Sequence, residues 1–145
     1  MKAAVEFRNV TKRYGESTVI EGLNLRIPQG KIIVLVGPSG CGKTTTMKMI
    51  NRLMEPTSGE ILFDGRDIME WNKAELRRRI GYVIQQVGLF PHMTIAENIS
   101  LVPRLSRGKA GHDLNKIDQQ LELVGLEAAV YRDRYPAELS GGQQQ

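Results

Sequence analysis

The segment 37–44 has the residue types and the spacing of a loop that binds phosphate. It reads GPSGCGKT, which satisfies G-x-x-x-x-G-K-[ST] between an apolar run and a segment of helix-forming composition. Glycine lacks a Cβ, so the backbone can adopt left-handed conformations and close around an anion. The sequence therefore predicts a nucleotide-phosphate site formed by Gly37, Pro38, Ser39, Gly40, Cys41, Gly42, Lys43, Thr44 and Thr45.

Each part of this loop has a predicted role. The amides from about Gly40 to Thr45 are expected to point at the anion from the positive end of a helix. Lys43 would place a charge on the β- and γ-phosphates, and the Thr44 hydroxyl suits Mg²⁺. The alternative is a glycine-rich turn between a strand and a helix with a chance lysine. The motif alone does not distinguish among the enzymes that carry it.

Composition sets broad limits on function. The chain has 145 residues, enough for one domain with a core, and no apolar run approaches the ~20 residues that span a bilayer. The net charge of +4 suits nucleic acid, an anionic membrane surface or a nucleotide and selects none of them. The basic run 77–79 is interpreted as a solvated helix face, so no nucleic-acid partner is predicted. The single cysteine, Cys41, excludes an internal disulfide.

The elements that would position the loop follow from hydrophobic periodicity. Residues 4–10 and 19–27 alternate as half-buried strands that pair antiparallel, whereas the runs 32–36 and 80–84 predict two buried parallel strands. Helices are predicted over 45–53, with Met47, Ile50, Leu53 and Met54 on one side, over 73–79, from the capping box at Thr94 to about residue 101, and over 113–124. A loop is predicted over 103–111. The fold class is α/β.

Three segments together resemble a known family. GPSGCGKTT, GYVIQQVGLFPH and LSGGQQQ, in this order and spread over nearly the whole chain, resemble the ATP-binding subunits of ABC transporters. Longer stretches such as TTTMKMINRLMEPTSGEI look like bacterial importers of glycine betaine, carnitine and choline. The resemblance implies an ABC-type P-loop NTPase fold: residues 1–90 would form an antiparallel β subdomain and the P-loop core, and residues 91–145 a helical subdomain that ends at the signature motif. ATP and Mg²⁺ are the implied cofactors.

The resemblance also assigns roles outside the loop. Tyr14 would stack on adenine; the alternative is a tyrosine that packs on its own hairpin. Gln85 would be the glutamine near Mg²⁺ and the attacking water, with its neighbour Gln86 or a plain strand-end glutamine as alternatives. Ser140, Gly141, Gly142 and Gln143 match the signature motif, which would close on the γ-phosphate held by the second subunit of a head-to-tail homodimer. The alternative for Ser140 is a simple helix N-cap.

The implied partners are transmembrane permease subunits, which would contact the segment 88–92 from the inner face of the membrane. A small satellite core is the alternative for this segment, and His92 is interpreted as a surface residue. A substrate-binding protein is also an implied partner, although only an indirect one.

The catalytic aspartate and glutamate of the family and its switch histidine would follow Gln145. The chain is therefore expected to be incomplete at its C-terminus and to bind nucleotide without sustained hydrolysis. A non-hydrolysing nucleotide-binding module and a soluble ABC ATPase that acts on nucleic acid are the competing functions.

Overall fold

The computed structural model describes residues 2–84, 88–107 and 113–144. The chain forms two compact units, Met1–Gly81 and Tyr82–Gln145. The predicted division between residues 90 and 91 remains a prediction. Within the described ranges, no helix combines the length and the apolar composition that a bilayer crossing requires.

The first unit is built on one antiparallel sheet. Its strands are β1 (Ala3–Tyr14), β2 (Ser17–Pro28), β3 (Ser58–Phe63) and β4 (Arg66–Asp67), in the order β2-β1-β3-β4. The predicted pairing of the first two strands is confirmed, with Phe7 opposite Leu25. Val5, Phe7 and Val10 are buried from β1 because alternate residues of a strand face the same side.

Two helices pack on this sheet. They are α1 (Lys43–Ile50) and α2 (Lys73–Arg79), and a short 3₁₀ turn, Ile68–Glu70, precedes α2. The range predicted for α2 is confirmed, and the Asn72 side chain caps its N-terminus. The apolar side predicted for α1 is partly wrong: Thr46 and Met49 are buried, while Met47 and Leu53 are about half exposed. The helix begins two residues earlier than predicted and ends at Ile50, before Leu53.

The two predicted parallel strands are absent. Ile32–Val36 forms no strand, and its side chains are between 38% and 92% exposed. In the run 80–84 no strand forms either, and Val83 and Ile84 are exposed. A buried strand needs hydrogen-bonding neighbours, and every strand in the described ranges belongs to the antiparallel sheet. The prediction of burial was therefore wrong for both runs.

The second unit is helical. It contains α3 (Ile95–Arg107), α4 (Leu114–Leu123), α5 (Ala128–Tyr131), a 3₁₀ turn at Pro136–Glu138, and α6 (Gly141–Gln144). The predicted capping box is confirmed: the Thr94 amide donates to Glu97 Oε2 at 2.8 Å, and the Glu97 amide donates to Thr94 Oγ1 at 3.2 Å. Helix α3 continues through Pro103 to Arg107, where the sequence had predicted a loop. The core of the second unit comprises Ile95, Ala96, Ile117, Leu121, Ala128 and Leu139.

Candidate phosphate-binding loop

The loop before α1 is shaped by glycines in left-handed conformations. Gly40 has φ 84° and Gly42, the N-cap of α1, has φ 93°. A Cβ on Gly42 would lie 2.9 Å from Ile20 Cγ1 and 3.3 Å from the Val19 carbonyl oxygen. A Cβ on Gly37 would lie 2.7 Å from Cys41 Sγ. The motif glycines are therefore required by backbone conformation at Gly40 and Gly42, and by close packing at Gly37 and Gly42.

Lys43 folds back across its own loop. Its Nζ donates to the carbonyl oxygens of Gly37 and Pro38, both at 2.7 Å, and lies 3.6 Å from Cys41 Sγ. The ammonium thus lies beside the backbone turn that leads into α1. Peptide amides at a helix start and a nearby cation together form a site for a polyanion. The structure thus brings Lys43 against Gly37, Pro38 and Cys41, and phosphate binding by the loop stays a prediction.

The hydroxyls of the first helical turn divide into two kinds. Thr46 is buried and donates its hydroxyl to the Gly42 carbonyl at 3.0 Å, which fastens the turn. Thr44 is exposed, and its hydroxyl makes no hydrogen bond to another described residue. The described ranges contain no group of three or more His, Cys, Asp or Glu residues suited to a metal. A hydroxyl beside bound phosphates fits Mg²⁺, which commonly takes few protein ligands and keeps waters and phosphate oxygens.

Tyr14 lies in the same unit as the loop, at the end of β1. Its ring is 46% exposed, and its hydroxyl donates to Met54 Sδ at 2.9 Å. The Lys12 ammonium lies 5.0 Å from the ring centroid. These contacts are made with β1 and with the connection after α1, not with the loop residues. The stacking role of Tyr14 remains a prediction.

An arginine missed by the sequence reasoning fixes the far end of α1. Arg52 has φ 52° and is buried, and its guanidinium donates to the carbonyls of Ile68 at 3.1 Å and Trp71 at 2.9 Å. Arg77 in turn donates to the carbonyls of Asn51 and Arg52. The helix that carries the loop is therefore fastened at its C-terminus by two guanidinium groups. A buried arginine has no local sequence pattern, because its partners are carbonyls distant along the chain.

Glu55 completes this anchor with charge. Its carboxylate accepts from Lys73 Nζ at 2.9 Å and from Arg52 Nη2 at 2.9 Å. The Lys73 hydrogen bond first, and then that of Arg52, lowers the pKa of Glu55 below its ordinary value. The connection after α1 is thus held most firmly while Glu55 is ionised.

The predicted signature residues lie in the second unit. The Ser140 amide donates to Gln143 Oε1 at 2.9 Å, and Gln143 Nε2 donates to the Tyr131 hydroxyl at 3.1 Å. Ser140 is exposed, and its hydroxyl has no hydrogen-bond partner in the described ranges. A Cβ on Gly141 or Gly142 would meet no atom within 4 Å. Ser140, Gly141 and Gly142 are therefore exposed to solvent. The Gln143 side chain caps the turn.

The remaining predicted residues lie partly within and partly outside the described residues. Gln85 and Gln86 lie outside the described residues. In the segment 88–92, Leu89 packs against the helical core and Phe90 is 46% exposed. The Asn98 side chain holds both the amide and the carbonyl of Phe90, and His92 is exposed beside the Phe90 ring. The segment is anchored to α3 and presents an aromatic edge, so it has features of both predicted alternatives.

Comparisons with known proteins identify the class to which this chain belongs. The ABC transporter family matches residues 20–145, so the chain belongs to that family. The chain is 56% identical to the choline transport ATP-binding protein OpuBA of Bacillus subtilis, over 94% of this chain and 36% of the relative. It is 49% identical to the glycine betaine uptake system ATP-binding protein YehX of Escherichia coli, over 97% of this chain and 46% of the relative. The chain thus spans less than half the length of these relatives.

A solved structure of an ATP-binding cassette has a similar fold. The dimeric post-hydrolysis structure of the ATP-binding cassette MJ0796 bound to ADP and Pi aligns with a TM-score of 0.80 at 33% identity. The alignment covers 97% of this chain and 65% of the cassette. The fold class of an ABC cassette is therefore confirmed.

Proposed function

We propose that this chain is the nucleotide-binding part of an energy-coupling subunit of an ABC importer for quaternary-amine osmoprotectants. The observation that carries the proposal is the loop before α1. Gly40 and Gly42 are left-handed there, and the Lys43 ammonium lies across the same turn. This arrangement supplies amide donors and one cation to a triphosphate.

In this proposal each site residue has a defined task. Lys43 binds the β- and γ-phosphates, and Thr44 together with Gln85 holds Mg²⁺. Gln85 also orients the attacking water. Bound Mg²⁺ would neutralise charge that develops on the phosphates. Tyr14 stacks on adenine, and Cys41 is an inert spacer in the turn.

The importing assembly follows from the same reasoning. Ser140, Gly141, Gly142 and Gln143 contact the nucleotide of a second copy in a head-to-tail homodimer. The exposed hydroxyl and the open glycines support this role, since nothing in the described ranges covers them. The segment 88–92 contacts transmembrane permease subunits, which places the protein at the cytoplasmic face of the membrane. A substrate-binding protein delivers the solute.

The osmoprotectant assignment is supported by the relatives named for choline and glycine betaine transport. A Fe(3+) ions import ATP-binding protein of Pectobacterium atrosepticum is 47% identical over 99% of this chain. That value is within the range of the osmoprotectant relatives, so overall identity does not separate the solutes. Solute choice is proposed to reside in the partner proteins.

Hydrolysis is proposed to be slow or absent in the polypeptide of residues 1–145 alone. The resemblance assigns the general base to residues beyond Gln145, and without a positioned base water attacks the γ-phosphate slowly. Phosphate release measured with malachite green should stay near background. Turnover typical of a transport ATPase from this polypeptide would contradict the proposal.

The proposal is tested by calorimetric titration with Mg-ATP. Lys43→Ala should weaken binding about tenfold to a hundredfold, because a charge-assisted hydrogen bond contributes roughly 1.5–3 kcal/mol. Lys48→Ala is the matched control: it removes the same charge from the last turn of α1 and should leave affinity unchanged. Equal affinities for the wild type and Lys43→Ala, or no binding by the wild type, would overturn the proposal.

A further inference from the structure

The ring of Tyr14 is held on one face by a cation. Lys12 and Tyr14 are two residues apart in β1, so their side chains leave the strand on the same side. Lys12 Nζ lies 5.0 Å from the centroid of the Tyr14 ring. This is within the range at which an ammonium is attracted to the face of an aromatic ring.

Both side chains are fixed by the connection that follows α1. Lys12 Nζ donates to the Glu55 carbonyl oxygen at 2.8 Å, and the Tyr14 hydroxyl donates to Met54 Sδ at 2.9 Å. Met54 and Glu55 are adjacent, and Glu55 is itself held by Arg52 and Lys73. The ring is therefore fastened at its hydroxyl, while the cation over its face is fastened at its ammonium.

We propose that Lys12 is a positioning residue for the base of the nucleotide: it covers one face of Tyr14 and leaves the opposite face for adenine. The inference rests on the proposed stacking role of Tyr14. A ring that is oriented before binding loses less side-chain entropy when the base arrives. With one face covered, the base can stack only on the opposite face of the ring.

The test compares ATP with inorganic tripolyphosphate, which has the phosphates without the base. Lys12→Met keeps the aliphatic stem and removes the charge. It should weaken Mg-ATP binding about twofold to fivefold, the range of an exposed cation–π contact, and leave tripolyphosphate binding unchanged. Lys12→Arg should retain affinity, because a guanidinium also stacks on an aromatic face. Arg13→Met is the charge-matched control on the exposed neighbouring residue and should leave both affinities unchanged.

A double-mutant cycle with Tyr14→Ala separates the possible results. If Lys12 acts through the ring, Lys12→Met should have no further effect on ATP affinity in the Tyr14→Ala background. An equal loss in both backgrounds, a matching loss for tripolyphosphate, or no loss at all would overturn the inference while Tyr14 stacking stands. If Tyr14→Ala itself leaves the preference for ATP over tripolyphosphate unchanged, the stacking role fails and the inference fails with it.

Discussion

Two glycine-containing segments of this chain lie at the starts of helices, yet they differ in how complete they are as anion sites. The loop 37–44 has two left-handed glycines and a lysine whose ammonium lies on its own carbonyls. The turn 140–144 has no left-handed glycine and no cation among its described residues, and the Gln143 side chain caps it. We expect the first turn to hold a polyanion by itself. The second presents a hydroxyl and open glycines, which suits a phosphate already held by another copy.

The largest expected effect lies at Gly42. Gly42→Ala would force a left-handed Cβ to within 2.9 Å of Ile20 Cγ1, so we expect loss of Mg-ATP binding. We also expect at least about 1–2 kcal/mol of destabilisation from the left-handed conformation alone. Gly40→Ala is the control with a left-handed φ and no atom within 4 Å, so it should destabilise less. Urea unfolding and calorimetry measure both quantities, and equal behaviour of the two variants would refute the packing argument.

The corresponding change in the second turn should be mild. Gly141→Ala meets no atom within 4 Å and occupies the first position of α6, where alanine favours the helix by up to about 1 kcal/mol relative to glycine. We expect unchanged or slightly raised stability and unchanged Mg-ATP affinity in dilute solution. Destabilisation as large as that of Gly42→Ala would remove the contrast between the turns.

The cap of the second turn should affect stability without affecting nucleotide affinity. Gln143→Ala removes the acceptor for the Ser140 amide and the donor to the Tyr131 hydroxyl, which should destabilise the chain by about 0.5–2 kcal/mol. Gln143→Glu retains the acceptor and should retain most of that stability. Thermal unfolding distinguishes the variants. A weaker Mg-ATP affinity for Gln143→Ala in dilute solution would mean that the second turn contributes to binding within one chain.

The anchor behind α1 should respond to pH. Because its pKa is lowered in the folded state, Glu55 stabilises the fold above its unfolded pKa, about 4.3, and this contribution is lost as the pH falls through the folded pKa. Wild type should therefore unfold at a higher temperature than Glu55→Gln at pH 7. The difference should shrink below about pH 4. A difference that is constant between pH 7 and pH 3 would exclude the ionised carboxylate as its source.

The smallest expected effect on a single chain is that of Ser140→Ala. The Ser140 hydroxyl has no partner in the described ranges, so Mg-ATP affinity in dilute solution should be unchanged. The proposed dimer should assemble less readily with ATP when the hydroxyl is missing. Sedimentation with and without Mg-ATP measures this, and unaltered ATP-dependent assembly would contradict the proposed role of Ser140.

Features that depend on neighbouring residues could be predicted from the sequence, whereas those that depend on distant residues could not. Local signals were read correctly: the alternation of Val5 and Phe7, the capping box of Thr94 and Glu97, and the left-handed conformations of Gly40 and Gly42. The burial of Ile32–Val36 was predicted wrongly, because an apolar run specifies a preference for burial but not the neighbouring strands that provide it. The Arg52 anchor could not be predicted, since its carbonyl partners are 16 and 19 residues away in the chain.

The most direct test of the central claim follows amide resonances of ¹⁵N-labelled protein during titration with Mg-ATP at low protein concentration. The account predicts large shifts for the amides of Gly40–Thr45, where the phosphates would accept hydrogen bonds. It predicts none for Ser140–Gln144, and it predicts that Lys43→Ala needs about tenfold to a hundredfold more nucleotide to reach the same shifts at Gly40–Thr45. Shifts confined to Ser140–Gln144, or no shifts in Gly40–Thr45 at saturating nucleotide, would contradict it.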